Sequence, residues 1–119
     1  MAPTPPTAFD QRAQTRYAQL IGDKVPGPPR SCLPSYRSHD MAVIDDRTIV
    51  FRESPGRVWV MRPQNDCNLL SAGRFALITR SSTSQLCRGE IAQVADPSNG
   101  VAVGSCVIGD FVPYTRPGA

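Results

Sequence analysis

A mainly β fold is predicted: a small antiparallel sheet curling into a barrel-like domain, with one N-terminal helix and two disulfides. Three observations predict it. From Met41 onward, short alternating apolar runs are separated by turn residues, the period-two signature of half-buried strands. One earlier stretch alone carries a helical period. Nine glycines and twelve prolines in 119 residues exceed the typical share of roughly 12%, so turns and loops are frequent. With a single Trp, three Tyr and four Phe, the core is modest and gains from covalent cross-links. Six short strands are too few for a flat sheet buried on both faces, which favours curling.

The length suits one domain, expected over residues 8–116. Residues 1–7 hold three prolines and no apolar periodicity, so they read as a disordered tail. The opening MAPTPPTAF resembles an initiator Met ahead of a mature or linker segment, consistent with an export signal already removed. In AFDQRAQTRYAQLIGDKV, residues Phe9, Ala13, Tyr17, Leu20 and Ile21 form one apolar stripe of a helix. Thr7 is the expected cap with Asp10 as its partner, and Gly22 the expected stop.

VPGPPRSCLP, with four prolines, excludes helix and central strand. It reads as a stiff connector carrying Cys32. MAVID, TIVFR and VWVMR then form a meander. Asp45-Asp46-Arg47 makes the first turn and ESPGR the second. Alternation puts Ile49 and Phe51 on one side and Thr48, Val50 and Arg52 on the other. It puts Trp59 and Met61 opposite Val58, Val60 and Arg62. PQNDCNLLSAG is a loop holding Cys67, RFALITR a fourth strand and SSTSQL a polar connection. GEIAQV and VAVGSCVIG are the fifth and sixth strands, joined around Asn99-Gly100. DFVPYTRPGA adds one edge interaction before fraying.

Cys32, Cys67, Cys87 and Cys106 are separated by 35, 20 and 19 positions. None has the two-to-four-residue spacing that opens a structural zinc site, and no Cys-x-x-Cys motif is present. Four cysteines at strand ends and in loops fit two disulfides in an oxidising compartment. Cys67–Cys87 and Cys32–Cys106 are the preferred pairs among three connectivities that spacing leaves open. No metal and no cofactor are expected.

Net charge is +3, from twelve arginines and one lysine against ten acids. The arginines are scattered, so nucleic acid is not the expected partner. No apolar run approaches the roughly 20 residues of a membrane span. Arg52, Arg57 and Arg62 near Trp59 form the candidate binding face, where guanidiniums and an indole can stack or clamp an anion; solvent-facing cross-strand arginines explain the same residues. His39-Asp40, Asp45, Asp46 and Glu90 are the residues a small hydrolase would use, although a solvated loop and an Asx turn account for most of them. Arg88 beside Cys87 would favour a thiolate, but the only imidazole is 48 positions away.

The ordered set GPPRSCLP, VIDDRTIVFR, CNLL, LCRGEI and GSCVIGDFVPY resembles the DUF6491 family, small exported proteins of proteobacteria with no assigned reaction. The matching positions are Cys32, Asp45-Asp46, Ile49, Phe51, Cys67 to Leu70, Leu86-Cys87, Gly89-Glu90, Cys106, Gly109 and Phe111, within roughly residues 20–114. Glu90 stands where Asp is usual in the family, and Trp59 where Tyr is common. The resemblance implies export and a shared fold, and brings no catalytic residues.

The expected function is therefore a non-enzymatic periplasmic or secreted domain that binds a protein, a glycan or an envelope component. A small hydrolase-like enzyme and a weak binder of anionic polymer are the alternatives.

Overall fold

The computed structural model describes residues 8–35, 39–70, 75–79 and 85–117, without the side chains of residues 8–10. It is mainly β, with one helix, antiparallel strand pairs and two disulfides. The expected tail, the Thr7–Asp10 cap and the Phe9 side chain fall outside this description.

Helix α1 spans Ala8–Ile21. Its stripe is the predicted one: Ala13 is buried, and Tyr17, Leu20 and Ile21 pack beside it on a sheet face. The stop is also as predicted. Gly22 takes φ of 55°, a left-handed conformation that costs glycine little. Its N–H donates to the Ala18 carbonyl at 2.7 Å. The Lys24 ammonium donates to the Leu20 carbonyl at 3.1 Å, where the helix end is negative.

The proline-rich connector contributes β1 (Val25–Pro26) and β2 (Cys32–Pro34). The meander follows as β3 (Asp40–Asp45), β4 (Thr48–Ser54) and β5 (Arg57–Met61). Later strands are β6 (Ala76–Thr79), β7 (Gln85–Cys87), β8 (Ile91–Ala95), β9 (Ala102–Val107) and β10 (Phe111–Thr115). They form a five-stranded sheet in the order β1-β10-β5-β4-β3, a β2-β7 pair, and a three-stranded β6-β8-β9 sheet.

Register partners Phe51↔Trp59 and Ile49↔Met61 share one face of the large sheet. With Phe111 they pack against Leu33 and Leu86 of the β2-β7 pair and Ala92 and Val94 of β8. On the opposite face Val50, Val58 and Val60 meet Ala42, Ile44 and helix α1. The alternation is as expected, but the prediction that both faces would not be buried is not. The helix covers one face and the smaller sheets the other, so β4 and β5 are sandwiched. The sheets curl without closing into a barrel.

The C-terminal segment also differs from expectation. β10 is no fraying edge; it lies between β1 and β5, with the Phe111 side chain fully buried. Its fully buried aromatic draws it inward. Pro113 is tolerated because its missing N–H falls where Gly27 donates to the Pro113 carbonyl at 2.7 Å.

The cysteines pair as Cys32–Cys87 and Cys67–Cys106, which corrects the preferred pairing. Sequence proximity favoured Cys67 with Cys87, but residues 85–87 form a strand that pairs with β2, and Cys87 stands directly opposite Cys32. Arg88 N–H donates to the Ser31 carbonyl at 2.6 Å, so Cys32 and Cys87 occupy a non-hydrogen-bonded pair, where side chains approach closest. Meanwhile the loop after β5 docks along β9. Gln64 N–H donates to Val107 at 2.8 Å. The Asn65 amide accepts from Val107 N–H at 2.8 Å and donates to Ser105 at 3.3 Å. That amide takes the place of a neighbouring strand and delivers Cys67 to Cys106.

Mass mapping of the oxidised protein under non-reducing conditions is expected to recover these two linkages; any crossed pair would contradict the register. The closed loops span sequence separations of 55 and 39, so each bond contributes about 4 kcal/mol in the chain-entropy model. Paired Cys→Ser replacement at Cys67 and Cys106, both buried in the core, is expected to lower unfolding free energy more than replacement at the partly exposed Cys32 and Cys87, as read by denaturant titration.

Candidate functional site

The expected Trp59/arginine face does not exist as one surface. Trp59 is only 3% exposed and belongs to the core, so it is no aromatic platform. Strand parity divides the arginines. Arg57 shares the Trp59 side of β5, with its guanidinium 4.7 Å from the indole centroid. Arg62 follows Val58 and Val60 onto the helix side, 6.0 Å from the Tyr17 ring. Arg52 is the cross-strand partner of Val58 and pairs with Asp40 at 3.5 Å.

The candidate acids are dispersed too. The Asp45 carboxylate accepts the Arg47 N–H at 2.8 Å, an Asx turn between β3 and β4. Asp46 presents its carbonyl to Cys67 N–H at 2.8 Å. The Glu90 carboxylate accepts the Cys87 N–H, the donor that points away from β2 in a non-hydrogen-bonded pair. His39 turns to Glu53 at 3.4 Å and to the Ser35 carbonyl at 2.8 Å, whereas neighbouring Asp40 serves Arg52. Among the described residues no three His, Cys, Asp or Glu side chains gather as a metal site.

What the fold does assemble is a cleft of about 310 Å³ beside helix α1. Pro29 and Val112 give it apolar surface, with the buried Val60 beneath. Arg62, Gln64, Arg88 and Asp110 supply its polar rim. One glycine makes it feasible. A Cβ at Gly109 would lie 2.0 Å from the Arg62 carbonyl oxygen, so only glycine lets the β9–β10 connection pass the end of β5. Asp110 follows at once and meets Arg88 at 3.4 Å. Gln64 is fixed by its amide, which donates to the Ile108 carbonyl at 3.1 Å.

Behind this rim stands a phenol pair. Arg62 donates to the Tyr17 hydroxyl at 3.4 Å. Tyr17 hydrogen-bonds Tyr114, whose pKa is raised above its ordinary value of 10.0, first by burial and then by that bond, with Arg62 acting in the opposite direction. Arg62 was legible as a candidate. Gln64 and Asp110 carry no sequence signal, and Arg88 stands out only as a neighbour of Cys87. The adjoining Gly109 was the one sequence signal for a close approach.

Comparison with protein families, with curated proteins and with solved structures finds no match. No helix among the described residues is long and apolar enough to cross a membrane.

Gly109→Ala is expected to cost about 3 kcal/mol, since the blocking atom is backbone and cannot step aside; a variant within 0.5 kcal/mol, roughly the range of a neutral surface change, would remove the close-approach argument. A second outcome concerns alkali. A raised phenol pKa favours the neutral form in the folded state, so its stabilisation is full below pH 10 and fades as pH climbs through the folded-state value. Tyr114→Phe is expected to flatten the fall of denaturation midpoint above that pH, with tyrosinate absorbance as the monitor.

Proposed function

We propose that this chain is a non-enzymatic, exported binding domain of the bacterial envelope, belonging with the DUF6491 proteins it resembles. Its ligand is an envelope partner that presents an apolar group beside a carboxylate to the Arg62–Arg88 cleft. The observation carrying the reading is the composition of that cleft: Pro29 and Val112 offer apolar surface beside the guanidiniums of Arg62 and Arg88, the latter 3.4 Å from Asp110. Apolar surface with a few placed polar groups suits ligand recognition, and arginine suits carboxylate geometry.

Two disulfides support an oxidising location, the periplasm or the exterior. A polypeptide segment fits better than a glycan, because Trp59 is buried and offers sugars no stacking surface. The hydrolase alternative has less support: Asp45 and Glu90 spend their carboxylates on backbone N–H groups. The anionic-polymer alternative is weakened by the scatter of the arginines over both faces of the large sheet and by the carboxylates beside Arg47 and Arg52.

The test is chemical cross-linking of the oxidised protein in envelope extract, followed by titration of the recovered partner. Arg62→Gln with Arg88→Gln is expected to weaken binding at least tenfold at unchanged melting temperature. Unaltered affinity would dismiss the cleft. Turnover of ester, phosphoester or glycosidic model substrates by homogeneous protein would dismiss the non-enzymatic reading.

A further inference from the structure

A second cleft lies on the other side of the same connector. The connector runs along the free edge of β10, with Val25 opposite Thr115 and Pro26 opposite Tyr114. Gly27 N–H donates to Pro113, and Arg30 exchanges both backbone bonds with Phe111 at 2.7 and 2.8 Å. Pro28 and Pro29 fall between these anchors. Neither has an N–H, so the ladder is interrupted. Three steps of connector face two of β10, and the extra residue bulges. The opening holds about 360 Å³ and is lined by Gly27, Pro28, Pro29 and Pro113 together with two guanidinium side chains, Arg30 and Arg57. No carboxylate lines it.

Beneath Arg57 lies Trp59, register partner of the lining Pro113. The Nε of Arg57 and the Nε1 of Trp59 are both buried and have no hydrogen-bond acceptor among the described residues. Glu53 stands 3.5 Å from Arg57 Nε, within ion-pair range but without hydrogen-bond alignment, and its other oxygen faces His39. Buried donors without acceptors are few in folded proteins and costly. Here Arg57 lines a cleft that carries two guanidiniums, and Trp59 lies under it, 4.7 Å from ring centroid to guanidinium.

We infer that the Arg30–Arg57 cleft is an oxyanion site, taking a carboxylate, phosphate or sulfate group on these guanidiniums, with the Trp59 indole stacked beneath Arg57 as its reporter. Glu53 stands beside Arg57 without hydrogen-bond alignment, so the anion supplies the aligned acceptor, and a negative charge shared with Arg30. Arginine matches the planar geometry of such groups. The proline walls are stiff, so little ordering accompanies binding. This site is separate from the Arg62–Arg88 cleft and does not depend on it.

Trp59 is the single tryptophan of the chain, so one indole N–H resonance reports on the site. ¹⁵N-labelled oxidised protein is titrated with inorganic phosphate, then with acetate, at ionic strength held constant with sodium chloride. The expected result is a saturable shift of the indole resonance. Arg30→Gln, a side chain outside the core, is expected to weaken the apparent affinity at least fivefold. Arg62→Gln is expected to leave it unchanged. Arg57→Lys retains charge without the planar fork and is expected to weaken it as well. No shift, a linear shift, or one reproduced by chloride alone overturns the site. A saturable shift indifferent to Arg30→Gln overturns its placement in this cleft.

Discussion

The bond between Cys67 and Cys106 carries the architecture, because it ties the two main sheets through the centre of the molecule. Cys67 lies just past the large sheet and Cys106 within β9 of the smaller one, and both sulfurs sit among the packed side chains of the main core. The loop bearing Cys67 reaches β9 through the Asn65 amide, which supplies the donor and acceptor a strand would have supplied. Covalent and hydrogen-bonded contacts therefore act at one place. The core between the layers is built from aliphatic side chains and the two half-cystines, with Phe51, Trp59 and Phe111 its aromatic bulk. Such an interior is small for three sheets and a helix, and cross-linking compensates.

The polar chemistry of the chain follows from backbone needs. Glu90 looks like a catalytic acid in isolation, yet its carboxylate answers an N–H that strand pairing leaves outward. Asp45 closes a turn. Asp45, Glu90 and Asp96 are thus taken up by main-chain donors, and Asp40, Glu53, Asp66 and Asp110 by arginines. Arginine is distributed differently: its long stem covers apolar surface, while the heads of Arg47, Arg52, Arg57 and Arg88 each meet a carboxylate.

Local features were legible in the sequence because they depend on near neighbours. The stripe of Ala13, Tyr17, Leu20 and Ile21 has a helical period, and Ile49, Phe51, Trp59 and Met61 share parity along paired strands. The stop at Gly22 needs only one residue of unusual φ. Features that depend on which distant edges meet were hidden. FVPYT reads as an edge because of Pro113, and only the burial of Phe111 reveals an interior strand. Cys87 could not be matched to Cys32 before β2 and β7 were known to pair. Trp59 was a surface candidate because composition says nothing of depth. The division of Arg57 from Arg62 was readable in principle, since an odd separation along a strand places side chains on opposite faces. The Arg62–Arg88 cleft was beyond reach, assembled from four separate stretches of chain.

Pro29 borders both openings. The two hollows are thus separated by a partition one residue thick, anchored at Gly27 and Arg30 and held further along by Cys32. Proline fixes its own φ and leaves no N–H to be recruited elsewhere, so this divider keeps one outline whichever hollow is filled.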